Sequence, residues 1–224
     1  IMFHLSMTSI VQILRLLIYE ACVLIVCVYG DYFIGTSVSI TGINIRLSKA
    51  IVDSFTHGLV GFLSWAIIID LWVVVPDIME CSGCMVLAMV VDIDHFIAAG
   101  SFQLKAALSL SSRPVFHAST LIPVIAFLIY ATSVFFRDSR LKVLTFMFMV
   151  AWISHHIRDS TRRGLWFPPF GSTSPLPTTT YMFLIMFIPI VFKVMLYYTG
   201  FLQFNNQGHT WLSAVEKTDD NVIV

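Results

Sequence analysis

The feature that most constrains this chain is a succession of long apolar runs, separated by charges and turn residues. They cover about Ile10 to Tyr29, Ile51 to Val75, Met79 to Ile97, Pro114 to Phe136, Leu141 to Ile157 and Thr178 to Thr199. A helix needs roughly 20 apolar residues to cross a bilayer's hydrocarbon, and the run from Leu141 sits at the lower limit of that range. None of the runs alternates with the two-residue period of an outer-membrane barrel. In lipid only helices and closed barrels satisfy their own backbone, so helices are expected. Composition agrees: 58% of the 224 residues are hydrophobic and 12% charged, against about 45–50% and about 25% in soluble domains. The predicted fold is an all-α, polytopic transmembrane helical bundle of five or six spans, forming a single domain over residues 1–202. The polar segment 203–224, with Asn205, Asn206, Glu216, Lys217, Asp219 and Asp220, is predicted to be a disordered tail in water.

The same composition narrows the function classes. Lys+Arg 13 against Asp+Glu 13 leaves no excess positive charge for a phosphate backbone, so no nucleic acid is expected as a partner. The lipid bilayer is the expected partner, and the chain is expected to be an integral, multi-pass membrane protein. Four cysteines in a chain of this size do not make a disulfide scaffold. The first run is read as an uncleaved helix, since it lacks a basic leader, carries Arg15 and Glu20, and has no small-residue cleavage site before Gly30.

Against this apolar background, ionisable residues gather in four groups: Asp53 with His57; Asp92, Asp94 and His95; Arg113 with His117; and His155, His156, Arg158 and Asp159. A charge at mid-bilayer costs about 2.5–3.5 kcal/mol on insertion scales, so such residues face a cavity or one another. Asp53/His57 and His155/Asp159 are spaced four apart, and Asp92/His95 three apart, which stacks each pair on one side of a helix. Carboxylate plus imidazole is the donor set of zinc, manganese or non-haem iron. Alternatively, the carboxylate orients the ring that binds the metal. Topology brings the groups together. If consecutive spans run antiparallel, the second begins, the third ends, the fourth begins and the fifth ends on one membrane side, and that is where the four groups sit.

Three segments carry a family resemblance. Val91-Asp92-Ile93-Asp94-His95, Arg113-Pro114-Val115-Phe116-His117-Ala118-Ser119 and Ser154-His155-His156-Ile157-Arg158-Asp159 resemble the motifs of the bacterial membrane-bound, predicted metal-dependent hydrolases. The run from Trp152 to Pro177 contains Arg163-Gly164-Leu165-Trp166, Pro169-Phe170-Gly171 and Ser174-Pro175-Leu176-Pro177. That run, like Phe102 to Leu108, is more similar to the animal transmembrane protein 267 family. The likeness extends from about Asp53 to Gly200. It implies metal ligands at Asp92, Asp94, His95, His117, His155 and Asp159, with His57 at the place of the bacterial family's early histidine. It also implies a hydrolase, a label that family draws from similarity to zinc-dependent phospholipases. The bacterial pattern has a histidine before the arginine of its middle motif, where this chain has Ser112.

The expected function is therefore a divalent-metal site, zinc first and manganese or iron next, serving hydrolysis of an ester or phosphoester at the membrane surface. A phosphorylated lipid headgroup, or another membrane-associated small molecule, is the natural substrate. His57, Asp92, Asp94, His95, His117, His155 and Asp159 are the expected metal residues. Arg113 and Arg163 are the expected catalytic groups, steadying the developing anion. Two alternatives stand beside it: a transporter relaying protons or a cation, which would place its polar groups near the midplane, and a non-catalytic scaffold that keeps the metal for stability. Arg46, Lys49, Lys105, Arg113, Arg158, Arg162 and Arg163 on the motif side outnumber Arg137, Arg140, Lys142 and Lys217 opposite, which points the site toward the cytosol. Cys81 and Cys84 are read as small apolar residues, and Pro123 and Pro189 as helix kinks. The stretch Trp166 to Phe170 is read as an interfacial loop able to cover the site.

Overall fold

The computed structural model describes residues 7–71, 75–199, 201, 204–205 and 208–209. Its helices are α1 (Met7–Gly35), α2 (Ile45–Ile69), α3 (Val75–Val90), α4 (Ile93–Ala99), α5 (Leu104–Ala107), α6 (Leu121–Phe135), α7 (Ser139–Arg163) and α8 (Thr178–Tyr198). Two small antiparallel ribbons pair β1 (Trp166–Phe167) with β2 (Gly171–Ser172) and β3 (Phe204–Asn205) with β4 (Gly208–His209). The rest of the expected polar tail lies outside the described residues.

Local chemistry sets the helix limits. The Asn44 side chain accepts from Arg46 N–H at 2.9 Å to open α2, and the Asp138 carboxylate accepts from Arg140 N–H at 2.8 Å to open α7. Helix α7 stops at Gly164, whose φ of 71° suits a residue without a Cβ. Four segments are long and apolar enough to cross a membrane: Ile10–Gly35, Ile45–Ile69, Val75–Ala99 across α3 and α4, and Thr178–Tyr198. Helix α6 is apolar but only 15 residues long, about 22 Å against about 30 Å of hydrocarbon. Helix α7 has 25 residues, but its C-terminal half carries the polar motif. The chain is thus the expected helical membrane protein, with a more uneven set of spans than the apolar runs alone imply.

Three boundaries differ from the sequence expectation. Helix α2 begins at Ile45 rather than Ile51, because the turns holding Arg46 and Lys49 continue the helix. His57 therefore lies about halfway along α2 rather than at its start. The third run breaks at Val91-Asp92 between α3 and α4. The fourth becomes helical only at Leu121, so Pro123 occupies the third position of α6, where its missing N–H had no intrahelical acceptor and no kink follows.

Helix α2 packs against α1, α3, α7 and α8, and α7 against α2, α3, α6 and α8, so these two are the centre of the bundle. Glycines let α2 and α3 meet closely. A Cβ on Gly61 would stand 2.9 Å from the Ala88 Cβ and 3.1 Å from the Cys84 carbonyl oxygen; one on Gly58 would meet only the Met85 and Met89 side chains. Cys81 and Cys84 are fully buried in this seam, as small apolar residues would be. Since methionine tails yield and backbone does not, Gly61→Ala should destabilise the protein more than Gly58→Ala. The expected cost of Gly61→Ala is about 1–3 kcal/mol, typical of overpacking, read from thermal unfolding in detergent.

Candidate metal centre

The breaks in the helices are what gather the motif residues. After α3 ends, Asp92 and Asp94 fall at the turn into α4. A 3₁₀ turn over Val115–His117 lies against them, its Phe116 N–H donating to Asp94 Oδ2 at 2.6 Å. That turn is held from α7: His156 Nε2 donates to the Phe116 carbonyl at 2.9 Å, which leaves its Nδ1 to accept from the Ser119 hydroxyl at 3.0 Å. Ser119 N–H in turn donates to the Trp166 carbonyl at 2.7 Å. Both nitrogens of His156 are thus occupied in positioning the loop. His155, its neighbour, points into the cluster.

Asp92, His117, His155 and Asp159 each bring one ligand atom to a common place, all within 4.8 Å of one another. His117 Nε2 lies 3.3 Å from Asp159 Oδ2 and 3.8 Å from Asp92 Oδ1; His155 Nε2 lies 3.5 and 3.6 Å from the same two oxygens. Donor atoms around a tetrahedral zinc ion, with bonds of about 2.0–2.1 Å, stand about 3.3 Å apart. The spacing therefore fits a divalent ion with slight contraction. His117 Nε2 and His155 Nε2 are buried without a hydrogen-bond partner among the described residues, an arrangement that costs free energy unless a cation answers it.

The second nitrogen of each ring supports the same reading. His155 Nδ1 sits 2.9 Å from the Ala88 carbonyl, which must accept from an N–H there and so leaves the Nε2 lone pair aimed at the cluster. His117 Nδ1 is 3.3 Å from Asp94 Oδ2. Asp94 therefore stands in the geometry of a carboxylate that orients a ligating ring, with His95 Nδ1 3.2 Å from its other oxygen. His57 stacks on His155 at 3.8 Å between ring centroids, and its Nε2 lies 3.2 Å from Asp159 Oδ1. All seven expected metal residues thus meet. Four form the inner group, while Asp94, His95 and His57 surround it. Burial disfavours a charged His117, but the flanking carboxylates of Asp159 and Asp94 outweigh it and push its pKa up to about 10. The pocket attracts positive charge.

The arginines divide in their duties. Arg158, fully buried, donates to Asp53 Oδ1 at 2.6 Å and to Asp31 Oδ1 at 2.8 Å; Arg162 clamps both oxygens of Asp53 at 2.6 and 2.7 Å. Tyr181 hydroxyl also donates to Asp31. Sequence reasoning missed Asp31, although a buried Arg158 on a membrane helix calls for a carboxylate partner. Arg113 donates to the Gly164 carbonyl at 3.0 Å and to that of Arg163, tying the middle motif to the end of α7. Its pKa is lowered, chiefly by burial and also by the charge of Arg163. The exposed Arg163 guanidinium makes no ion pair among the described residues. It lines, with Asp92, His117 and Asp159, a cavity of about 570 Å³. The β1–β2 ribbon borders this cavity at Trp166.

Removing an inner ligand and removing an orienting group should differ. His155→Gln and Asp159→Asn are expected to abolish stoichiometric zinc in the purified protein. Asp94→Asn should retain zinc with affinity weakened about 10–100-fold, the usual cost of a lost orienting partner. Titration with a competing chelator separates the two outcomes.

No protein-family model matches the chain, and no solved structure matches it. Among curated proteins it is 42% identical to transmembrane protein 267 of Bos taurus over 162 residues, which cover 72% of this chain and 75% of that one. Transmembrane protein 267 of Xenopus laevis is 41% identical over 165 residues, covering 72% and 75%. That of Danio rerio is 40% identical over 156 residues, covering 68% and 69%. At this identity and coverage, the chain belongs to the transmembrane protein 267 family.

Proposed function

We propose that this membrane protein holds a divalent ion, zinc first, and hydrolyses a phosphoester at the membrane surface. The observation that carries the reading is the convergence of Asp92, His117, His155 and Asp159, with two buried imidazole nitrogens that have no hydrogen-bond partner among the described residues. When bound, such an ion lowers the pKa of water toward neutrality and polarises the phosphoryl oxygen. The chain's own residues do the rest. His117 and His155 present Nε2, fixed by Asp94 and by the Ala88 carbonyl. Arg163 supplies a guanidinium suited to two phosphate oxygens. Arg113 acts as a positioning residue, holding the backbone that carries Arg163. In the reaction water's oxygen bonds to phosphorus, the P–O bond to the alcohol breaks, and water's proton ends on the departing alkoxide. The resemblance of the motifs to the bacterial membrane-bound hydrolases supports the same chemistry.

Protein purified without chelator should turn over p-nitrophenyl phosphate. Removing the metal should stop that turnover, zinc should restore it, and Arg163→Ala should slow it about 100–1,000-fold, the range for losing one anion-stabilising donor. Full metal occupancy with no turnover on a phosphoester panel, together with a lower melting temperature after chelation, would instead establish the scaffold reading.

A further inference from the structure

We propose that the cavity beside the cluster takes its substrate sideways from the bilayer, through a mouth between α2 and the α4–α5 segment, and that this substrate is a lipid ending in a phosphate. The chemistry rests on the hydrolase reading; the route rests on the lining of the cavity. At about 570 Å³, the cavity falls within the roughly 300–1,000 Å³ of small-molecule sites. Its lining is of two kinds.

Leu47, Ile51 and Phe55 recur every four residues along one face of α2. All three line the cavity, yet they are 42%, 44% and 48% exposed on the outside of the bundle. Ile93 of α4 and Leu108 beyond α5 face the cavity in the same way, 50% and 57% exposed. A side chain that both lines a cavity and lies on the outer surface marks its mouth. In water this apolar rim would be unfavourable by about 25 cal/mol for each Å²; on a membrane-spanning helix it faces acyl chains. The remaining lining includes Asp92, His117, Asp159 and Arg163. An apolar passage from the lipid toward a cationic and metal-ligating floor matches an amphiphile with an anionic head. A water-soluble phosphoester would need no such passage. After hydrolysis the alcohol would stay in the bilayer, and phosphate would leave past Arg163.

Two measurements on the full chain in phosphatidylcholine nanodiscs test this. In the first, metal is stripped and phosphatidic acid with a diazirine in its acyl chain is photolysed. Label should concentrate on the 47–55 face of α2 and on residues 93–108. Ile51→Arg, or Ile51→Trp if the arginine variant does not fold, should cut that label about tenfold, the effect of about 1.4 kcal/mol. The same probe lacking phosphate should label this face no more than the outer face of α8. Even labelling around the bundle overturns the proposal. In the second, the zinc-loaded protein is offered phosphatidic acid and p-nitrophenyl phosphate. The Ile51 variants should lose turnover of the lipid and keep that of the soluble ester. Equal loss on both, or turnover of the soluble ester alone, overturns the lateral route and leaves the hydrolase reading standing. Turnover of neither defeats the hydrolase reading, and the labelling result then decides the lipid site by itself.

Discussion

Everything at this end of the bundle answers one electrostatic constraint: carboxylates held in a lipid-embedded protein must be matched by positive charge at close range. Asp31 and Asp53 are matched by Arg158 and Arg162 through short, directed hydrogen bonds. Asp92 and Asp94 have imidazoles as their nearest cationic partners, and Asp159 has three imidazoles with Arg162 at 3.5 Å from its outer oxygen. Neutral rings cannot balance these charges, and several protonated rings packed together would repel one another. A divalent ion held by Asp92, Asp159, His117 and His155 would resolve both difficulties. Breaking a buried charge pair leaves a penalty of several kcal/mol, which keeps Asp31 and Asp53 tied to Arg158.

That demand explains features of the fold that hydrophobicity does not. Helix α3 stops at Val90 although apolar residues continue, which turns Asp92 and Asp94 inward. The segment ahead of α6 gives up helix for a 3₁₀ turn, and His156, Ser119 and Trp166 hold that turn against α7. The close α2–α3 seam at Gly58 and Gly61 brings His57 onto the ring of His155, whose other nitrogen reaches the Ala88 carbonyl. Packing and site thus share the same contacts.

The apolar runs and the i,i+4 pairs were legible in the sequence because period and hydropathy are local properties. The meeting of the four groups followed from antiparallel order. The division of labour did not. His155 and His156 are adjacent and chemically alike, and only the directions of their side chains separate a ring aimed into the carboxylate cluster from one that positions a loop. Asp94 reads as a ligand by type, but its partner His117 comes from 23 residues away. Asp31 and Arg158 are 127 residues apart, beyond any local pattern. Helix ends were misjudged where polar residues extend a helix, as at Arg46 and Lys49, or where the site interrupts one, as at Asp92.

The most direct test of the account is X-ray absorption at the zinc edge on protein purified with its metal. The account predicts a shell of nitrogen and oxygen donors at about 2.0–2.2 Å with imidazole scattering, and no sulfur. A sulfur shell near 2.3 Å, or zinc that washes out as the hydrated ion, would contradict it.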